Sequence, residues 1–97
     1  VIRSRPIGVL MLEDEHGSDE KIIAVPVDAL HPYYSDVREP DDLPPILREQ
    51  IAHFFQHYKD LEQGKWVTGG RWDGADAAAR LIEDAVRRHD ARHAVHA

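Results

Sequence analysis

Five carboxylates crowd one short turn of this 97-residue chain: Glu13, Asp14, Glu15, Asp19 and Glu20 surround Gly17, with Lys21 beside them. Like charges at this density are tolerated only where water or a counter-charge neutralises them. One reading is a solvated loop tip. The other is a site for a hard divalent cation: Mg²⁺ and Ca²⁺ take carboxylate oxygens, and Mg²⁺ commonly combines a few of them with water and a substrate phosphate. If a strand starts near Asp19, then Asp19, Lys21 and Ile23 share one face. A carboxylate and an ammonium then leave the strand end together, which suits a metal–phosphate complex. An EF-hand is excluded, because placing Gly17 at the sixth loop position puts Leu12 and Ile23 at the first and twelfth, where neither binds calcium.

A second constellation follows in the middle of the chain. His53 and His57 stand at i and i+4, on one face of a helix. Phe54 occupies the position where a zincin requires Glu, and no third ligand accompanies the pair, so zinc catalysis is not supported. A contact between helices or subunits is the better reading, with Glu49 and Asp60 able to pair with the imidazoles. Tyr58 and Lys59 add a hydroxyl and an ammonium, both able to reach a phosphate oxygen.

The elements that position these groups are readable from pattern. Ile7–Leu12 and Ile22–Pro26 are apolar runs on either side of the acidic turn, which predicts a β-hairpin near 7–26. Both runs are almost continuously apolar, so burial on both faces is expected. Val27–Leu43 has an ordered-loop composition, with Pro32, Pro40 and His31 among its residues. Asp42 is a candidate N-cap, and Leu47, Ile51, Phe54, Phe55 and Tyr58 repeat helically, which predicts a helix over about 44–61 that stops before Gly64. Lys65–Thr68 reads as a short strand broken by Gly69-Gly70. From a cap at Asp73, an Ala-rich repeat predicts a second helix over about 74–91, with fraying around His93 and His96.

Composition narrows the classes. A net charge of -6 argues against nucleic acid and anionic membrane as partners. The chain has no Cys, hence no thiol chemistry, which fits a reducing cytosol, and no apolar run long enough to span a bilayer.

Taken together, Arg5-Pro6-Ile7-Gly8-Val9-Leu10, the turn from Asp14 to Lys21, and His53-Phe54-Phe55-Gln56-His57-Tyr58-Lys59-Asp60-Leu61-Glu62 resemble the soluble, Mg²⁺-dependent family I inorganic pyrophosphatases. The resemblance runs nearly end to end, and its specificity lies in the combination. It implies an α+β fold, an OB-like small β-barrel with flanking helices, and hydrolysis of pyrophosphate to two orthophosphates in the cytoplasm. Asp14 and Asp19 match carboxylates that coordinate Mg²⁺. Lys21, Tyr58 and Lys59 match catalytic groups that hold the phosphates. His53, His57 and Asp60 match the helix surface through which bacterial members form a homo-oligomer, a hexamer.

One departure matters. The family's run of closely spaced aspartates precedes the Arg-Pro-x-Gly segment and is not found in these residues. The expectation is therefore that residues 1–97 form the C-terminal portion of a single pyrophosphatase domain, inactive or nearly so when isolated. Its barrel would be incomplete, with unpaired strand edges and with Val9 and Ile23 exposed. The alternative from the residues alone is a non-catalytic acidic module that binds divalent cations or a protein partner.

Overall fold

The computed structural model describes residues 2–30 and 32–96, with side chains described as far as Arg92; the expected loop residue His31 and the fraying expected at His93 and His96 lie outside the described residues and side chains. The long apolar run becomes β1 (Ser4–Asp14), which pairs antiparallel with β2 (Gly17–Pro26) and, on its other side, with β3 (Val67–Gly74), giving the strand order β2-β1-β3. The hairpin stands where it was expected. Its burial does not follow on both strands: β1 is central and buries Ile7, Val9, Leu10 and Leu12, whereas β2 is an edge strand that alternates between half-buried and exposed. Asp19, Lys21 and Ile23 are its inward-facing residues, as strand parity requires.

A helix covers each face of the sheet. Lys21 lies over the Phe55 ring of α1 (Pro45–His57), so α1 sits on the face carrying Asp19 and Lys21. On the opposite face Ile22 lines a groove with Leu81, Ile82 and Ala85 of α2 (Ala75–His96). Val9 pairs with Ile22 across the hairpin and therefore shares that face. Val9 is fully buried rather than exposed, and Ile23 is half-buried against the cluster of Ile7, Val25 and Leu43, because α2 and the segment carrying Tyr34, Val37 and Leu43 close over them. Arg5 holds that segment in place, its guanidinium donating to the Tyr34 and Val37 carbonyls. Where α2 meets β2, Ile22, Ile82 and Val86 stay exposed.

Several element boundaries differ from expectation. Asp42 does not cap α1; it ends a 3-10 turn (Pro40–Asp42), its Oδ2 accepting the N–H groups of Arg38 and Glu39, and α1 starts after Pro44. The helix ends at His57 rather than near Leu61, because the chain tightens into i→i+3 turns at Asp60 and Glu62. The Gly69-Gly70 pair does not break β3. Met11 pairs with Arg71 and Leu12 with Gly69, so Gly70 is the extra residue of a β-bulge, and the φ angles of 93° and 134° at Gly69 and Gly70 are ones glycine adopts without strain. The strand then continues to Gly74, where the Glu39 carboxylate accepts the Ala75 N–H and takes the capping role expected of Asp73. The helix passes its expected end near Ala91 and reaches His96, since nothing in Arg92–His96 signals a stop. A three-stranded sheet with two helices makes the described residues α+β.

Candidate active site at the hairpin tip

The turn between β1 and β2 is two residues long, Glu15-His16, with Asp14 paired to Gly17. Gly17 takes a φ of 116°, which lets the strands reverse so tightly that the acidic residues converge. The Asp14 Oδ1 accepts the His16 N–H at 2.8 Å, which fixes the carboxylate in an Asx-type turn. Its other oxygen faces the α1 end of the molecule.

Lys59 answers it from forty-five positions away. Its Nζ donates to Asp14 Oδ2 at 3.2 Å and stands 3.6 Å from Glu15 Oε1. The three side chains are only 11%, 16% and 14% exposed for Asp14, Glu15 and Lys59, so this is not a solvated surface pair. The turns after His57 make the reach possible, since a continuing helix would carry Lys59 along the α1 axis. The hydrogen bond from the His16 N–H, against the effect of burial and with help from Lys59, holds the Asp14 carboxyl below its ordinary pKa. Glu15 is lowered as well, first by its own backbone N–H and then, against burial, by the Trp66 N–H and Lys59. For Lys59, burial pulls the pKa down, but the hydrogen bond and charge of Asp14, with Glu15, outweigh it and raise the ammonium above its usual value.

Asp19 lies on the same face as Asp14, two positions along on the neighbouring strand, a diagonal of roughly 7–8 Å between Cα atoms. It pairs with Lys21 at 3.2 Å. Lys21 Nζ stands 5.3 Å above the Phe55 ring centroid, so the aromatic face of α1 supports the ammonium from beneath. Tyr58 stacks on Phe54 and meets Phe55 edge-on, with Lys59 Nζ 5.6 Å from its own ring centroid. Gln56 anchors this end of α1 to the sheet by donating to the Gly69 carbonyl at 2.6 Å. The structure thus brings Asp14, Asp19, Lys21 and Lys59 to one end of one sheet face, with Tyr58 at its border.

The remaining expected residues gather on the outer surface of α1 and the turn that follows it. The His53 and His57 rings are 4.4 Å apart, and His57 Nδ1 is 2.9 Å from Asp60 Oδ2. All three residues are exposed, next to the exposed Phe54. Glu15 is the residue that sequence reasoning did not select: among five clustered carboxylates, only the fold shows that this one also accepts the Trp66 N–H, at 3.3 Å. Among the described residues no three His, Cys, Asp or Glu side chains converge as a metal-binding group, and no helix is long and apolar enough to cross a membrane.

Comparison with known proteins gives this geometry its context. Residues 1–90 match the family model described as inorganic pyrophosphatase. The inorganic pyrophosphatase of Caulobacter vibrioides is 59% identical over 90 residues, covering 93% of this chain and 51% of the relative. That of Pseudomonas aeruginosa is 58% identical over 86 residues, covering 89% and 49%. Among solved structures, the inorganic pyrophosphatase of Helicobacter pylori superimposes with a TM-score of 0.88 at 40% identity, over 92% of this chain and 52% of that one. The Thermus thermophilus enzyme gives 0.82 at 32% identity, over 90% and 50%. The chain spans about half the length of the curated relatives it matches. None of these relatives is named as a non-catalytic module. By sequence and by fold, this chain belongs to the inorganic pyrophosphatase family.

Proposed function

We propose that these residues serve an inorganic pyrophosphatase, in a polypeptide of the relatives' length, that hydrolyses pyrophosphate to two orthophosphates with Mg²⁺. The observation that carries the proposal is the pairing at the hairpin tip: two aspartates on one sheet face each hold a lysine, Asp19 with Lys21 and Asp14 with Lys59. Pyrophosphate is a polyanion and the chain carries a net charge of -6, so substrate reaches this face only through cations.

The donor set fits a hard ion. Asp14 and Asp19 offer oxygens only, on one face, and would hold Mg²⁺ as two members of a ligand set completed by other residues, water and phosphate. The chemistry such an ion supplies when bound is neutralisation of phosphate charge and acidification of water. This chain's own groups do the rest. Lys59 and Lys21 place ammonium charge where negative charge grows on the phosphoryl oxygens, and Tyr58 contributes a hydroxyl donor at the border. Phe55 keeps Lys21 in register, and the His16 N–H keeps Asp14 ionised and oriented.

The same reading places residues 1–97 in the C-terminal part of one domain, with an OB-like barrel completed by further strands. It makes the His53, His57 and Asp60 surface the contact of a hexamer in the cytoplasm. Phosphate release from pyrophosphate, measured with Mg²⁺ on the full-length protein, tests the assignment. Asp14→Asn is expected to lower kcat by about 100-fold or more, and Lys59→Ala by about 100- to 1,000-fold, the range for removing one group that stabilises transition-state charge. Unchanged rates in both variants overturn it.

A further inference from the structure

The Glu15 carboxylate joins two parts of the chain that are 51 positions apart. Its Oε2 accepts the Trp66 backbone N–H at 3.3 Å, and its Oε1 lies 3.6 Å from the Lys59 Nζ. Oε1 is buried and has no hydrogen bond of its own. The exposed His16 ring is farther away, at 3.9 Å, so the Lys59 ammonium is the main charge compensating it.

Lys59 needs such a partner. It stands in the run of tight turns between the end of α1 at His57 and the start of β3 at Val67, where no helical or sheet ladder fixes it. Its other anchor is Asp14, at 3.2 Å, and Asp14 is also the carboxylate proposed to hold a cation. A carboxylate whose charge is shared with a divalent ion attracts an ammonium less strongly. Holding Lys59 with Asp14 alone would set substrate binding against cation binding.

We propose that Glu15 is a positioning residue for Lys59, tying the acidic turn to the α1–β3 connection through the Trp66 N–H and keeping the ammonium at the tip while Asp14 serves the cation. The inference rests on the pyrophosphatase reading of Asp14 and Lys59. It separates Glu15 from Asp14 and Asp19: Glu15 acts through Lys59 and Trp66.

Two variants of the full-length protein test it. Glu15→Gln retains an oxygen for the Trp66 N–H, and Glu15→Ala retains none. Amide hydrogen exchange at Trp66, measured without substrate, is expected to accelerate about tenfold or more in Glu15→Ala and about threefold or less in Glu15→Gln, as for a lost against a weakened hydrogen bond. With inorganic pyrophosphate and Mg²⁺, kcat/KM is expected to fall about 100-fold in Glu15→Ala and about tenfold in Glu15→Gln, the loss that follows misplacement of a catalytic group. Calorimetric affinity for Mg²⁺ alone should fall much less in Glu15→Ala than in Asp14→Asn. Unchanged Trp66 exchange in Glu15→Ala refutes the tether. An Mg²⁺ affinity that falls as steeply as in Asp14→Asn makes Glu15 a ligand and refutes the positioning role. A parent protein that releases no phosphate refutes the pyrophosphatase reading instead, and Trp66 exchange still decides the tether.

Discussion

Replacing Gly70 with Ala should show how closely the bulge in β3 is tied to the helix that leads into Lys59. Gly70 has a φ of 134°, and a Cβ built on it would stand 2.5 Å from Gln56 Nε2. Two separate losses follow. An L-residue at that φ carries about 1–3 kcal/mol of backbone strain. Gln56 must also move aside, giving up its 2.6 Å hydrogen bond to the Gly69 carbonyl, which is worth about 0.5–1.5 kcal/mol net. Gly70→Ala should therefore destabilise the full-length protein by about 2–4 kcal/mol, read as a lower urea midpoint at unchanged slope. Gln56→Ala on its own removes only the hydrogen bond. In the double variant the clash is gone, so the combined loss should fall short of the sum of the single losses by about 0.5–1.5 kcal/mol. If the two substitutions add within the usual error, Gln56 does not lean on the bulge, and β3 does not set the position of this end of α1.

Other expectations concern the core, pH and assembly. Ile7→Ala should cost about 2–5 kcal/mol of unfolding free energy, because Ile7 is fully buried against Val25 and Leu43; a loss below about 1 kcal/mol would mean the site collapses freely. The N–H groups of Arg38 and Glu39, opposed by burial, hold the Asp42 carboxyl below its ordinary pKa. Its contribution is complete above the unfolded carboxyl pKa and is lost as pH falls through the depressed folded value, below about pH 4. Asp42→Asn should flatten that acid limb of an unfolding series and leave the neutral region parallel to the parent. The His53→Ala/His57→Ala variant of the full-length protein should sediment as a smaller species; parent-like sedimentation would remove the α1 surface from the proposed interface.

Much of this was legible in the residues. The hairpin announces itself through two apolar runs and an acidic turn, and Asp14, Asp19, Lys21 and Lys59 came from one family pattern and met on one face. The features that escaped are ones in which tertiary context overrides a local signal. Gly69-Gly70 has the composition of a breaker, yet the β1 partner strand turns it into a bulge. Ile22 and Val9 are both apolar residues in apolar runs, and only strand order makes Val9 buried and Ile22 partly exposed. Asp42 reads as the cap of the first helix but closes a 3-10 turn instead, and the residue that caps α2, Glu39, stands 36 positions away from it. Glu15 could not be told from its four acidic neighbours until Trp66 and Lys59 were brought to it.

The acidic tip is proposed to hold a divalent cation between its aspartates and a bound diphosphate. Carbon-13 resonances of the Asp14 and Asp19 carboxylates in the full-length protein, followed as Mg²⁺ is added with and without phosphate, address it directly. Both resonances should move along one saturable curve, at lower Mg²⁺ when phosphate is present. Two carboxylates that stay where they were at every concentration would contradict it.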